Sequence, residues 1–284
     1  PGDAAAQAGA EAAGLEAHRM LAAARPGEPL AHALHSAAAA QVSPWDYYCP
    51  AGGGLKPHAA EALEAARRAG PHPLALHLAV HLTEAGGAPE EGEAAADHPN
   101  IRNSSAAHLA HMPSHTYARV GRYAEAAELN RRAAAIDRAV AAGCGEPYVP
   151  EHNLAMLSWA ASMAGQGKSA SAAAEAIRGL PELSPGMAAA KRGWAYPLFV
   201  WVRFGEWGAV LRDPEPPADA RWREYDVAAR RWARAMARAG TGELGLAREE
   251  HGAFLEALEA VPEDKPSLPG NLWTQYGRAL LGVA

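Results

Sequence analysis

Histidine is concentrated in one part of this chain, where four of the 13 histidines form two pairs with the same spacing. His77 and His81 are four residues apart in LALHLAVHLTEA, and His111 and His115 are four residues apart in LAHMPSHTYA. Side chains four residues apart on an α-helix project from one face, one turn apart. Each pair can therefore present two imidazoles to one metal ion or to two adjacent ions.

The two pairs are also related to each other, because the offset between them is 34 residues both times. In a repeat of two helices, the first helices of successive units stand side by side along a concave surface. His108 and Glu84 extend the same helix faces, and His152 begins the next first helix. The predicted metal ligands are therefore His77, His81, His108, His111, His115 and His152.

Three details of this site stay open at the level of sequence. The position of His152 depends on whether Gly165 or Gly167 is the turn glycine of its repeat. Pro113 in HMPSH either opens a helix at its first turn, where its missing N–H costs nothing, or kinks the helix and re-aims the preceding histidine. Glu84 lies at the far end of its helix, so we expect it to reach the metal only through water.

The elements that must position these residues are helices. Ala-rich segments with apolar residues at three- and four-residue spacing dominate, and segments with the period-two pattern of strands are absent from the sequence. The breaks are short and rich in Gly and Pro, so we predict a single all-α domain, residues 1–284, built from antiparallel helix hairpins. The predicted helices span residues 4–24, 29–42, 57–69, 73–85, 105–119, 123–141, 151–164, 169–179, 187–203, 222–239, 243–260 and 271–282.

The run ARVGRYAEAAELNRRAAAID, residues 118–137, resembles the second half of a tetratricopeptide repeat. With PWDYY, HLAVHLTEA, HMPSH, EHNLAML and WVRFGEW, most of the chain is similar to a family of bacterial tetratricopeptide-repeat proteins whose hallmark is the His-Met-Pro-Ser-His segment. The resemblance implies a right-handed superhelical array of antiparallel helix pairs, in which the helices at 73–85 and 107–119 are neighbours. The clearest repeats span 73–106, 107–140, 151–180 and 228–260.

Composition excludes several other classes of protein. The net charge is −6, and the 26 basic and 32 acidic residues are spread along the chain, so we expect no nucleic-acid partner. The two cysteines form no CxxC pair, which favours a reducing cytoplasm over a disulfide framework. Apolar runs fall short of the roughly 20 residues that a membrane-spanning helix needs. A Gly-rich phosphate loop and the GxSxG and HExxH motifs are also absent from the sequence.

The type and number of ligands narrow the choice of metal. Imidazole suits copper, zinc and iron, whereas magnesium and calcium prefer oxygen. Six histidines exceed the three protein ligands typical of catalytic zinc, and they lack the thiolates of structural zinc, so the set favours more than one metal ion. Histidine-only sites on antiparallel helices are similar to coupled copper pairs that activate dioxygen, by ligand type and not by fold. We rank copper first, iron with Glu84 as a ligand second, and zinc third.

Three functions are consistent with these patterns. The first is a metal-dependent oxidoreductase of specialised metabolism, acting on a small molecule or peptide held in the concave groove. For that enzyme, Arg203 is a candidate for binding a substrate carboxylate, and the aromatic residues around it are expected to cover one end of the groove. The second is a non-catalytic tetratricopeptide-repeat module that binds a protein or peptide. The third is a zinc-dependent hydrolase with Glu84 as general base. A homodimer stays open for each.

Overall fold

The computed structural model describes residues 4–49, 54–143, 145–148, 150–180, 193–220 and 223–261. These residues form α-helices and short 3₁₀ turns without a β-strand, which confirms the predicted all-α class. The predicted helix at 271–282 lies outside the described residues. In the described part of the chain, no helix is both long and apolar enough to cross a bilayer.

The chain divides into two compact units, Pro1–Met156 and Leu157–Ala284. The division falls within one helix, Pro150–Met163. The single domain over 1–284 therefore stays a prediction, and each unit is described by itself.

The first unit is built from helices that pack mainly on their neighbours in the sequence. Its third and fourth helices, for example, pack on the helix before them, and small buried residues such as Ala62 and Ala66 let their axes approach closely. The helices are α1 (Ala4–Ala24), α2 (Pro29–Ala40), α3 (Pro57–Ala69), α4 (Pro73–Glu84), α5 (Glu93–Ala96), α6 (Pro99–Arg102), α7 (Ala107–His111), α8 (Pro113–Arg119), α9 (Tyr123–Ala142) and the start of α10 (Pro150–Met163).

Helix α4 carries the first histidine pair. Pro73 occupies its first turn, where a missing N–H costs nothing, and Leu76 and Val80 bury one stripe of the helix in the core. The end of α4 is held by α8, because the Arg119 guanidinium donates to the backbone carbonyls of Glu84 and Gly86. These contacts satisfy carbonyls that a helix end leaves without intrahelical partners, and they join α4 to α8.

The HMPSH segment is divided between two short helices. The predicted helix at 105–119 is interrupted at Met112, which separates α7 from α8. Pro113 has no N–H to donate and opens α8, yet Met112 keeps helical dihedral angles of φ −50° and ψ −42°. Pro113 therefore opens a helix, which was one of the two alternatives for this residue, and the backbone stays helical through the junction.

Two turn glycines set the start of the helices that follow them. Gly121, between α8 and α9, has φ +84°, and Gly165, after α10, has φ +73°. Residues with a Cβ rarely adopt this left-handed conformation, which explains glycine at both turns. Gly167 instead begins the next helix. Gly165 is therefore the turn glycine of this helix pair, and the register that counts from Gly165 applies to His152.

The second unit has a core of aromatic and small side chains. Leu198, Trp201 and Val210 pack with buried alanines, and Trp194, Phe199 and Trp207 lie against this core. These aromatic side chains therefore have a packing role, and their expected place over one end of a groove stays a prediction. Its elements are the rest of α10, α11 (Gly167–Arg178), α12 (Tyr196–Phe204), α13 (Trp207–Arg212), α14 (Arg223–Gly240) and α15 (Leu244–Glu259).

Candidate metal centre

All six predicted histidine ligands lie in the first unit and form two triads. One triad comprises His77, His81 and His108, and the other comprises His111, His115 and His152. In each triad, one ring nitrogen from every member lies within 4.8 Å of the corresponding nitrogens of the other two. Each group could hold a metal ion.

The first triad joins α4 to α7. His77 and His81 lie one turn apart on α4, with ring centroids 4.8 Å apart. His108 comes from α7, and its Nε2 lies 3.3 Å from the Nε2 of His77. The sequence prediction that helices 73–85 and 107–119 are neighbours is confirmed at this contact.

The second triad joins α7, α8 and α10. The Nε2 atoms of His111 and His115 are 2.8 Å apart, across the junction at Pro113. His152 reaches the pair from the first turn of α10, with its Nε2 3.4 Å from that of His115. The rings of His108 and His111 are stacked with centroids 5.9 Å apart, so the two triads adjoin.

Asn130 of α9 fixes the protonation of His111. The Asn130 amide donates through Nδ2 to the backbone carbonyl of Ala126, at 2.8 Å, which leaves its Oδ1 to accept from Nδ1 of His111, at 2.6 Å. The proton of the neutral ring therefore sits on Nδ1, and the lone pair of His111 is on Nε2. That nitrogen faces the triad.

Glu84 likewise accepts a hydrogen bond from Nδ1 of one histidine in each triad. Its Oε1 lies 2.7 Å from Nδ1 of His81, and its Oε2 lies 2.5 Å from Nδ1 of His115. Both rings donate to the carboxylate through Nδ1, so in a neutral ring the lone pair is on Nε2, which faces the triad. Burial raises the pKa of Glu84, but the hydrogen bonds from His115 and His81 outweigh it and hold that pKa near 2. Glu84 thus contacts two of the predicted ligands directly, and its expected approach to the metal through water stays a prediction.

The fixed tautomers leave the second triad electrostatically unbalanced. When both rings are neutral with Nδ1 protonated, Nε2 of His111 and Nε2 of His115 each carry a lone pair, and these two nitrogens face each other at 2.8 Å. A second proton on His111 is disfavoured, because burial and the neighbouring His115 hold its pKa well below the ordinary value. Converging neutral imidazole nitrogens are the donor set that a transition-metal cation needs. The residues present therefore fit a metal ion.

Two histidines of the first triad, His77 and His108, favour the neutral form. Burial, with a smaller electrostatic contribution from His81, lowers the pKa of His77 to about 3 and that of His108 to about 4. Nδ1 of His108 is buried without a hydrogen-bond partner among the described residues. Neutral rings are the form that binds metal, so protons compete weakly here.

Three residues at the centre were missed from the sequence. Asn130 is a polar side chain within the buried alanine stripe of α9, and that break in the stripe was a usable signal. Trp45 and Tyr148 lie in loops, where helical periodicity gives no guidance. The Trp45 ring centroid is 4.9 Å from that of His81, and the Tyr148 centroid is 5.2 Å from that of His108.

Other predicted features lie apart from the triads. Arg203 is an exposed residue of α12 in the second unit and donates to the Ser162 carbonyl at 3.2 Å, so its role in substrate binding stays a prediction. Among the histidines outside the predicted ligand set, His35 contacts Glu61 at 2.7 Å. His32 contacts the Pro26 carbonyl at 3.0 Å.

No known protein family, curated protein or solved structure matches this chain. The tetratricopeptide resemblance and the function it suggests therefore stay predictions.

Proposed function

We propose that this protein is a metal-dependent oxidoreductase with two adjacent transition-metal ions, each held by one histidine triad. Copper is the favoured metal, with iron and zinc as alternatives. The substrate is a small molecule or peptide bound in the groove of a tetratricopeptide-like scaffold, and the activity belongs to specialised metabolism in the cytoplasm.

The observation that carries this proposal is the pair of triads with a shared carboxylate. A histidine in a structural role needs one or two hydrogen-bond partners, and His35 has such an arrangement with Glu61. The six site histidines instead turn ring nitrogens toward one another. Folding gains nothing from converging lone pairs, whereas metal binding requires them.

Two ions are favoured over one because the ligands divide into separate groups of three. Copper is favoured because the donors are imidazoles and the carboxylate of Glu84 is engaged by His81 and His115. That engagement also weakens the zinc-hydrolase alternative, in which Glu84 would need a free oxygen to take a proton from water.

The chain's own residues have separable tasks in this centre. Imidazole-bound copper supplies one-electron and dioxygen chemistry. His77, His81 and His108 would hold one ion, and the triad of the α7–α8 junction would hold the other. Glu84 and Asn130 accept from Nδ1 of their histidines and so would leave the Nε2 atoms free to bind the metal ions. Burial of His111, which is fully enclosed, lowers the pKa of its ring and so favours the neutral donor that a metal ion would need.

The first experiment measures metal content in protein purified without a histidine tag. We expect about two copper ions per chain after loading, since each triad supplies a separate set of donors. His77→Ala and His115→Ala should each lose about one ion, because each removes a ligand from a different triad. The exposed His251→Ala, in the second unit, is the control and should keep both ions.

Metal-loaded protein is then reduced with ascorbate, and oxygen consumption is followed with an electrode. The wild type should consume dioxygen faster than His77→Ala or His115→Ala, at unchanged helical circular dichroism. Wild-type protein that binds no transition metal would overturn the proposal and favour the peptide-binding module. Bound zinc without oxygen consumption would favour the hydrolase.

A further inference from the structure

The loop before the first triad holds a tryptophan in a costly position. Trp45 has φ +67°, and it is the one residue other than glycine with a positive φ in the described part of the chain. Its side chain is 68% exposed. A bulky residue in this region is strained, and an exposed indole contributes little hydrophobic stabilisation. Strain of this kind is concentrated at functional sites.

Hydrogen bonds and an ion pair fix the loop that carries Trp45. The turn that carries it is closed by the Asp46 N–H donating to the Ser43 carbonyl at 3.2 Å, and Lys56 Nζ lies 2.6 Å from the Asp46 carboxylate. Further along the loop, the Tyr48 hydroxyl donates to the Leu82 carbonyl of α4 at 2.7 Å. The loop is therefore fastened to the helix that carries His77 and His81.

The indole stands at the edge of the first triad. The Trp45 and His81 rings are nearly perpendicular, with an interplanar angle of 88°. Tyr148, which is 69% exposed, meets His108 of the same triad at 77°. These are the two most exposed large aromatic side chains of the described residues, and both contact one triad. Exposed aromatic surface beside a site marks a place where a ligand binds.

We propose that Trp45 and Tyr148 form an aromatic recognition surface that places a neutral, planar aromatic ring, such as a phenol, beside the first triad. This inference rests on the proposed function, because it assigns the substrate class of that centre. A planar ring gains stacking or edge contact with an exposed indole that a non-planar ring of equal size does not.

The charged groups near the two aromatic side chains are already paired, which favours a neutral ligand. The Asp46 carboxylate next to Trp45 is paired with Lys56, and the Glu84 carboxylate is occupied by His81 and His115. The Arg119 guanidinium donates to backbone carbonyls at the end of α4. None of these groups is left to anchor a charged substituent.

The test compares phenol with cyclohexanol, which has similar size and the same hydroxyl but no planar ring. Both are titrated into metal-free, ¹⁵N-labelled full-length protein, and indole N–H signals are followed by NMR. The Trp45 signal is assigned from the spectrum of Trp45→Phe. We expect phenol to shift that signal saturably, and to bind about 3- to 10-fold more tightly than cyclohexanol.

Variants make the result specific. The Trp45 variants lack that indole signal, so their phenol affinity is measured from the backbone N–H signal of Tyr148, which lies beside the same triad. Trp45→Ala should reduce phenol affinity to that of cyclohexanol, Trp45→Phe should retain most of it, and Trp159→Phe in the second unit should retain all of it. Equal shifts with phenol and cyclohexanol, or an unmoved Trp45 signal, would overturn the aromatic surface. Because the protein is metal-free, that failure is independent of copper binding, and loss of copper binding leaves the phenol result standing.

Discussion

Glu84 is the residue on which the two triads depend together. One carboxylate accepts from His81 at 2.7 Å and from His115 at 2.5 Å, and these rings belong to different triads. Outer hydrogen bonds of this kind fix the tautomer and raise the basicity of a metal-binding imidazole. A shared carboxylate therefore gives the two proposed metals a common support.

The substitution Glu84→Gln tests that support while keeping the shape of the side chain. The amide oxygen still accepts from one ring, but the amide NH₂ faces the Nδ1–H of the other ring, donor against donor. We expect one of two copper ions to bind roughly 10- to 100-fold more weakly, the usual effect of losing an outer partner. Isothermal titration with copper should then show one tight and one weak step.

Glu91→Gln is the matched control, because Glu91 makes only an exposed pair with Arg67 at 3.4 Å. It should titrate as the wild type does. Two equally tight steps in Glu84→Gln would show that the carboxylate does not support the metals.

At the scale of elements, the site depends on turns that start helices at particular residues. The turn at Gly121 joins α8, which carries His115, to α9, which carries Asn130. Asn130 must then reach back to His111 at 2.6 Å. A shift in this turn would move the acceptor that fixes the His111 tautomer.

The substitution Gly121→Ala tests whether this turn needs a residue that tolerates a positive φ. A Cβ at Gly121 meets no atom within 4 Å, so the cost comes from its φ of +84° and not from a clash. We expect the free energy of unfolding to fall by about 1–2 kcal/mol, measured by urea denaturation. Gly87→Ala, where a Cβ also meets no atom within 4 Å and φ is not positive, should be neutral or slightly stabilising. Equal effects of the two substitutions would contradict the argument.

At the scale of the whole molecule, stability should depend on one buried acid of the second unit. Asp226 is 3% exposed, and its Oδ1 has no hydrogen-bond partner among the described residues. Burial raises its pKa from 3.8 to about 7, although Arg178 opposes the shift. The folded state therefore holds a proton that the unfolded chain releases, so stability from this group falls as pH rises from about 4 to about 7.

Asp226→Asn removes that titration. Relative to the wild type, the free energy of unfolding of the variant should change little near pH 4. Its advantage should increase up to pH 7, where it reaches on the order of 2–4 kcal/mol for a pKa shift of this size. Thermal unfolding between pH 4 and 8 measures the difference, with the exposed Asp219→Asn as control for the exchange itself. A constant difference across this range would show that Asp226 is ionised in the folded state at all of these pH values.

Spacing along the chain was sufficient for the local parts of the site. The four-residue spacing of His77 and His81 predicted one helix face, and the all-α class followed from alanine content and periodicity. The 34-residue offset predicted neighbouring helices, which the contact between His77 and His108 confirms. These features depend on helix geometry, which repeats at every turn and can be counted.

The tertiary structure decided how the six histidines are divided between the two triads. His108 joins the pair on α4 and His111 joins His152, a division that spacing does not contain, because it depends on how helices cross. The double contact of Glu84 and the Asn130 hydrogen bond arise between elements. Trp45 reaches His81 through a strained loop, where no period constrains the chain. Sequence thus determined which residues share a helix face, and packing determined which atoms meet.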